Sequence, residues 1–112
     1  MELHEESIGG ILVLGVKGRI DSMTARDLEH ALMRAVGSNQ TRLVLDLSAT
    51  DYISSAGLRV LLAVGKQLDR VHGRLVLHGL NERVREVFDI SGFASLFGIG
   101  ADRSQALALA AK

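Results

Sequence analysis

The chain of 112 residues contains no cysteine and no proline. Without cysteine there is no disulfide, no thiolate zinc site and no cysteine nucleophile. Without proline, glycine carries the punctuation, at Gly9-Gly10, Gly18, Gly37, Gly73, Gly79, Gly92, Gly98 and Gly100. Aromatic residues make up only 4% of the chain, so a core has to be built from Leu, Val, Ile and Ala. Charge of one sign is also lacking, because 13 Lys and Arg balance 13 Asp and Glu. A neutral chain argues against nucleic-acid partners, which select a basic stripe, and against a polybasic membrane anchor. No apolar run approaches the roughly 18 to 20 residues that span a bilayer. The first seven residues hold three glutamates and no basic segment ahead of an apolar one, unlike a signal peptide. The expectation is a cytoplasmic protein with no membrane insertion, its residues 1–112 forming one domain.

The hydrophobic pattern alternates between strand and helix. Met1 to Ile8 reads as a weak strand, Gly9-Gly10 as a two-residue turn, and Ile11 to Lys17 as a strong strand, together a hairpin. Ala25, Leu28, Leu32, Ala35 and Val36 fall at helical spacing, with Gly37 as a stop. Leu43 to Leu47 reads as a strand covered on both faces or at a sheet centre. A second helix carries Leu58, Leu61, Leu62, Gly65 and Leu68 along one stripe. Arg74 to His78 is a further strand, and Asn81 caps a third helix whose inner face is Val84, Val87 and Phe88. Phe93, Leu96 and Phe97 are expected to seal the core, and Asp102 with Gln105 resembles a capping pair for a last helix through Leu107 and Ala110. The order is β-β-α-β-α-β-α-(short β)-α. It predicts an α/β fold, a mixed sheet of four to five strands with about four helices packed on it.

The densest polar segment is Asp46-Leu47-Ser48-Ala49-Thr50-Asp51-Tyr52-Ile53-Ser54-Ser55-Ala56-Gly57-Leu58, running from a strand end into a helix. Such turns lie at the carboxyl edge of a sheet, where ligands commonly bind. Either serine can serve as the helix N-cap, and Asp46 and Asp51 can be solvated or local backbone acceptors. Elsewhere the chain offers little chemistry. His4, His30, His72 and His78 have no metal-ligand spacing and are expected to be surface or satisfied side chains. There is no Gly-x-Ser-x-Gly elbow and no Gly-x-x-x-x-Gly-Lys loop. Ser55 has no base that the sequence assigns to it, so an enzyme is not expected, and neither is a metal or cofactor.

Asp46-Leu47-Ser48 followed by Ile53-Ser54-Ser55-Ala56-Gly57-Leu58-Arg59-Val60-Leu61-Leu62 resembles the signature of STAS-domain anti-sigma factor antagonists. Gly18-Arg19-Ile20-Asp21 is similar to that family's loop after the second strand. Leu80, Val84, Val87, Phe88, Gly92 and Phe93 are similar to its late helix and following loop. The resemblance covers nearly the whole chain and implies the STAS fold. It implies a phosphoacceptor serine two residues before the glycine, here Ser55. The preceding position, often aspartate in the family, is Ser54, a second hydroxyl beside the first. It further implies a partner that is both anti-sigma factor and ATP-dependent serine kinase, bound by the unphosphorylated form, and a serine phosphatase that resets the modified form. Gly18, Arg19, Ile20, Asp21, Asp51, Tyr52, Ser54, Ala56, Gly57, Leu58 and Arg59 are the expected partner-binding residues. Arg59 either reaches back toward a phosphate on Ser55 or is simply solvated. The alternative within the same fold is an accessory subunit of a membrane transport complex that acts by fixed contacts. The chain is expected to be a monomer or a weak dimer.

Overall fold

A computed structural model describes all residues from Met1 to Lys112. The chain runs β1 (Glu2–Ile8), β2 (Ile11–Ile20), α1 (Thr24–Gly37), β3 (Arg42–Asp46), β4 (Thr50–Ile53), α2 (Ser55–Arg70), β5 (Arg74–His78) and α3 (Glu82–Ser91). A short 3-10 helix (Phe93–Leu96), β6 (Gly98–Gly100) and α4 (Arg103–Ala111) complete it. One sheet runs in the order β1-β2-β3-β5-β6, with β1 antiparallel to β2 and the remaining pairs parallel. The hairpin closes through Gly9 and Gly10 at φ of 56° and 81°, the left-handed values that a tight two-residue turn demands.

The expected four to five strands become six, because Thr50–Ile53 is a strand and not part of a turn. The ten residues of β2 outrun β3. Leu12 to Gly15 pair with β3, and Gly18 to Ile20 pair with β4 beyond it. A register shift between Gly18 and Arg19, with Gly18 at φ of 106°, separates the two stretches. Strand β2 therefore extends through Ile20, where the sequence suggested a loop. The four residues do not alternate, with exposed Asp51 and Tyr52 side by side between buried Thr50 and Ile53, so nothing in so short a segment reads as a strand.

The two faces are covered unequally. Leu12, Leu14 and Val16 of β2, with Leu43, Leu45, Leu75 and Leu77, turn to the side covered by α1, α2 and α3, where 22 buried residues form the main core. The other side holds a cluster of six, Ile11, Val13, Val44, Val76, Ala106 and Ala110, beneath α4 alone. The short Ala side chains let a single helix lie close on the sheet. Phe97 joins the main core edge-on to Phe88, with ring centroids 5.8 Å apart. Leu96 does not help to seal it and is 59% exposed, because the 3-10 turn carries it outward.

Caps match the helix starts. The Asn81 side chain accepts from Val84 N–H at 2.8 Å, and Asp102 accepts from Gln105 N–H at 2.8 Å. The Gln105 side chain reaches Ala101 N–H and not Asp102, so the capping pair is shifted by one residue. At α1, Asp21 Oδ1 accepts from the N–H groups of Met23 and Thr24 while Thr24 Oγ1 accepts from Asp21 N–H, a reciprocal box. Helix α2 meets the sheet without clearance at its first turn. A Cβ on Gly57 would stand 2.7 Å from Ile20 Cγ2 and 2.8 Å from Ile53 Cγ1.

Gly57→Ala gains helix propensity of about 1 kcal/mol but overpacks against two isoleucines at a cost of roughly 1 to 3 kcal/mol, so thermal denaturation should show a less stable protein. A variant that melts higher would show that the Ile20 and Ile53 side chains yield freely. At Asp21, the hydrogen bonds from Thr24 hold the carboxyl below its ordinary value, with smaller help from Met23 N–H and the Arg19 charge. A depressed folded pKa contributes stability above the unfolded value, and that contribution is lost as pH falls through the folded one. Asp21→Ala should therefore lower the melting temperature at neutral pH, with the gap to wild type narrowing on acidification below about pH 4.

Candidate functional site

The ends of β2 and β4 and the start of α2 converge at one edge of the sheet. Ser54 N–H donates to Ile20 C=O at 2.8 Å, which locks the approach to α2 onto the end of β2. Ser54 is extended, with φ −88° and ψ 171°, and its Oγ accepts from Gly57 N–H at 3.2 Å. The two serines are thereby told apart. Ser54 is the half-buried N-cap, and Ser55 is the first residue of α2, exposed, its hydroxyl in no hydrogen bond within the chain. Gly57 N–H and Leu58 N–H are satisfied by the side chain and carbonyl of Ser54. The N–H groups of Ser55 and Ala56 lack intrahelical acceptors, as at any helix start, and form the positive end of the helix dipole.

Around Ser55 the expected site residues divide by depth. Ile20, Gly57 and Leu58 are buried and support the surface from beneath, so their side chains are not available as contacts. Ala56 and Gly18 are half-buried. Arg19, Asp51, Tyr52 and Arg59 are exposed, and Arg59 makes no ion pair. The Arg19 guanidinium stacks 4.5 Å from the centre of the Tyr52 ring, a cation–π contact between the paired residues of β2 and β4. The Asp21 carboxylate is spent on the start of α1. Thr50 is fully buried and donates from its hydroxyl to Val16 C=O at 2.8 Å, so its role is to hold β4.

The sequence reading missed the neighbouring wall. Tyr52 and Ile53 line a groove of about 260 Å³ together with Arg83, Glu86, Val87 and Ile90 of α3. Ile90 is 78% exposed. The available signal was its position outside the Val84, Val87 and Phe88 stripe. Met23 adds a second large apolar side chain to the surface at the turn after β2.

Asp46 belongs elsewhere. It ends β3 on the face under α4, where its Oδ1 accepts from Ser48 N–H at 2.9 Å. Burial pushes its pKa up, but the Ser48 hydrogen bonds, with His78 and Arg103 nearby, outweigh burial and hold the carboxyl below its usual value. His78 departs from the expectation of surface or satisfied histidines, being buried with its Nε2 lacking any hydrogen bond, 3.9 Å from Asp46 Oδ1. No cluster of three or more His, Asp or Glu residues is placed to hold a metal ion. No helix is long and apolar enough to cross a membrane.

Comparison with known proteins agrees with this architecture. The family model for the STAS domain matches residues 3–106. BtrV of Bordetella bronchiseptica, named as an anti-sigma factor antagonist, is 48% identical over 108 residues, which covers 96% of this chain and 93% of that protein. The crystal structure of an anti-sigma factor antagonist from Mycobacterium paratuberculosis is 28% identical and superposes with a TM-score of 0.90, covering 99% of this chain and 94% of that one. The Bacillus cell fate determinant SpoIIAA in its phosphorylated form, 19% identical, shares the fold with a TM-score of 0.73 over 95% of this chain and 96% of its own. The mixed sheet, the four helices, the matched domain and the full-length relative together show that this chain belongs to the STAS family, among the anti-sigma factor antagonists.

Proposed function

We propose that residues 1–112 act as one STAS module in a cytoplasmic partner switch. The unphosphorylated chain binds an anti-sigma factor that is also a serine kinase. Phosphorylation of Ser55 by that kinase ends the interaction, and a serine phosphatase restores it. The observation that carries this reading is the division of labour between the two serines, in which Ser54 takes the cap and leaves the Ser55 hydroxyl exposed and unbonded.

The physics of the site supports a switch that acts on the partner and not on the fold. A phosphate on Ser55 adds about −1.5 to −2 charges near pH 7. That charge falls at the start of a sixteen-residue helix, where free N–H groups and the dipole favour it. The chain should therefore stay folded when modified. The cost falls on whatever covers Ser55, through added bulk and a charge that must be desolvated. Differential affinity for the two forms is sufficient to exchange partners. The face offered to the partner is the exposed set around Ser55, namely Arg19, Asp51, Tyr52 and Arg59, with Ser54, Ala56 and Gly18 at its half-buried margin and Ile20, Gly57 and Leu58 beneath. Asp21 contributes by fixing the turn after β2.

Titration calorimetry against the cognate kinase tests the switch. Wild type and Ser55→Ala should bind alike, and Ser55→Asp should bind at least tenfold more weakly, about 1.4 kcal/mol. Equal binding by Ser55→Asp would sink the proposal. A second measurement separates cap from switch. Ser54→Ala should cost about 1 kcal/mol in denaturant unfolding, whereas Ser55→Ala should change stability by less than about 0.5 kcal/mol. Intact-mass analysis after incubation with kinase and ATP should show one phosphate on Ser54→Ala and none on Ser55→Ala. Phosphate retained on Ser55→Ala would move the acceptor to Ser54.

A further inference from the structure

At the far end of α2 lies a second feature, independent of the Ser55 site. Lys66 stands eleven positions after Ser55 in the helix, about 16 Å along the axis. There the last turns of α2, the start of β5, the residues before β6 and the end of α4 enclose an open cleft of about 720 Å³. This lies within the range of small-molecule sites, about 300 to 1,000 Å³.

The lining has two chemistries. Leu62, Leu75 and Phe97 give it an apolar wall, and Leu96 stands at the cleft 59% exposed. Lys66, Arg74 and Lys112 give it fixed positive charge, against Asp69 as its one acidic side chain. None of these three cations has a carboxylate within 4.0 Å, and none donates a side-chain hydrogen bond within the chain. Charge is concentrated here although the chain as a whole is neutral.

The glycines of the cleft are the more telling observation. Gly73 is demanded by the fold, since a Cβ there would stand 2.2 Å from Thr41 O. Gly65 and Gly98 are not. A Cβ on Gly65 would meet only Phe97 Cε1, at 3.7 Å, and one on Gly98 would rest 3.4 Å from Val76 Cγ2, both ordinary contacts. Neither glycine has a positive φ. Gly65 sits in the interior of α2, where glycine is the least favourable residue after proline. Helix stability and packing both favour a side chain at this position. Its absence keeps the cleft open.

We propose that this cleft binds an amphiphilic anion, an aliphatic chain ending in a carboxylate or phosphate. The chain lies along Leu62 and Phe97 over the space left by Gly65. The head group meets Lys66, Arg74 and Lys112, with the Arg74 guanidinium suited to grip two oxygens at once.

Sodium decanoate and decyl phosphate, below their micellar concentrations, are the free probes, and phosphatidylglycerol vesicles present the same chemistry as a lipid surface. Calorimetric titration of the full chain should give saturable one-to-one binding of at least one free probe. Lys66→Glu with Arg74→Glu should weaken it by more than about tenfold, since two charge-assisted contacts are lost. Gly65→Leu should abolish it by filling the space, and Gly65→Ala should melt no lower than wild type while binding less tightly. If Gly65→Leu fails to fold, as judged by circular dichroism, the charge-reversed variant decides. Absence of saturable binding, or binding untouched by both sets of variants, overturns the proposal. Sedimentation with vesicles in the absence of free-probe binding overturns it too, in favour of a basic surface.

Discussion

The close seating of α2 on the ends of β2 and β4 is the constraint on which the rest of the structure depends. Gly57 has no side chain to hold the helix off Ile20 and Ile53, and Ser54 ties its own backbone to Ile20. These contacts fix where the helix begins, which residue caps it, and which hydroxyl is left over. They also force β2 to be long, because β4 needs a partner beyond the reach of β3. The bulge at Gly18 absorbs the change of partner.

A rigid seat has a functional meaning under the proposed switch. Phosphate at a helix start is compatible with the fold, so the energy of modification is not dissipated in local unfolding and can be expressed at an interface. The Arg19–Tyr52 stack and the α3 groove beside it lie next to each other on this surface, and a side chain already held in a contact has less freedom to lose. Less ordering entropy is then lost on docking. The opposite end of α2 is built on other terms, with unpaired cations and glycines that neither backbone nor packing requires.

Much of the architecture is legible in the sequence. The hairpin at Gly9-Gly10, the central apolar strand β3, the Asn81 cap and the stripe of α1 all follow from local periodicity and turn chemistry, whereas in α2 Leu58, Leu61 and Leu68 are buried with Val60 and Val64, and Leu62 and Gly65 border the cleft instead. Strand β4 could not be read, since four residues with Asp51 and Tyr52 outward resemble a polar loop. Leu96 was misplaced because a 3-10 turn breaks the helical spacing that put it inside. His78 is apolar in position and polar in chemistry, and nothing in its neighbours along the chain announces a buried, unbonded nitrogen.

The candidate site divides in the same way. The amino-acid sequence by itself determined that a run of small polar residues precedes a helix, that a serine stands two positions before a glycine, and that the family is STAS. Those are properties of order and spacing along the chain. Only the tertiary structure decided which serine is the cap, that Ile20 and Leu58 lie beneath the surface, and that Tyr52 borders a groove made by α3. It also brought Gly65, Arg74 and Phe97 to one cleft from separate elements. These depend on distances between residues far apart in sequence, set by how helices of fixed rise pack onto strands of fixed spacing, and no local pattern encodes them.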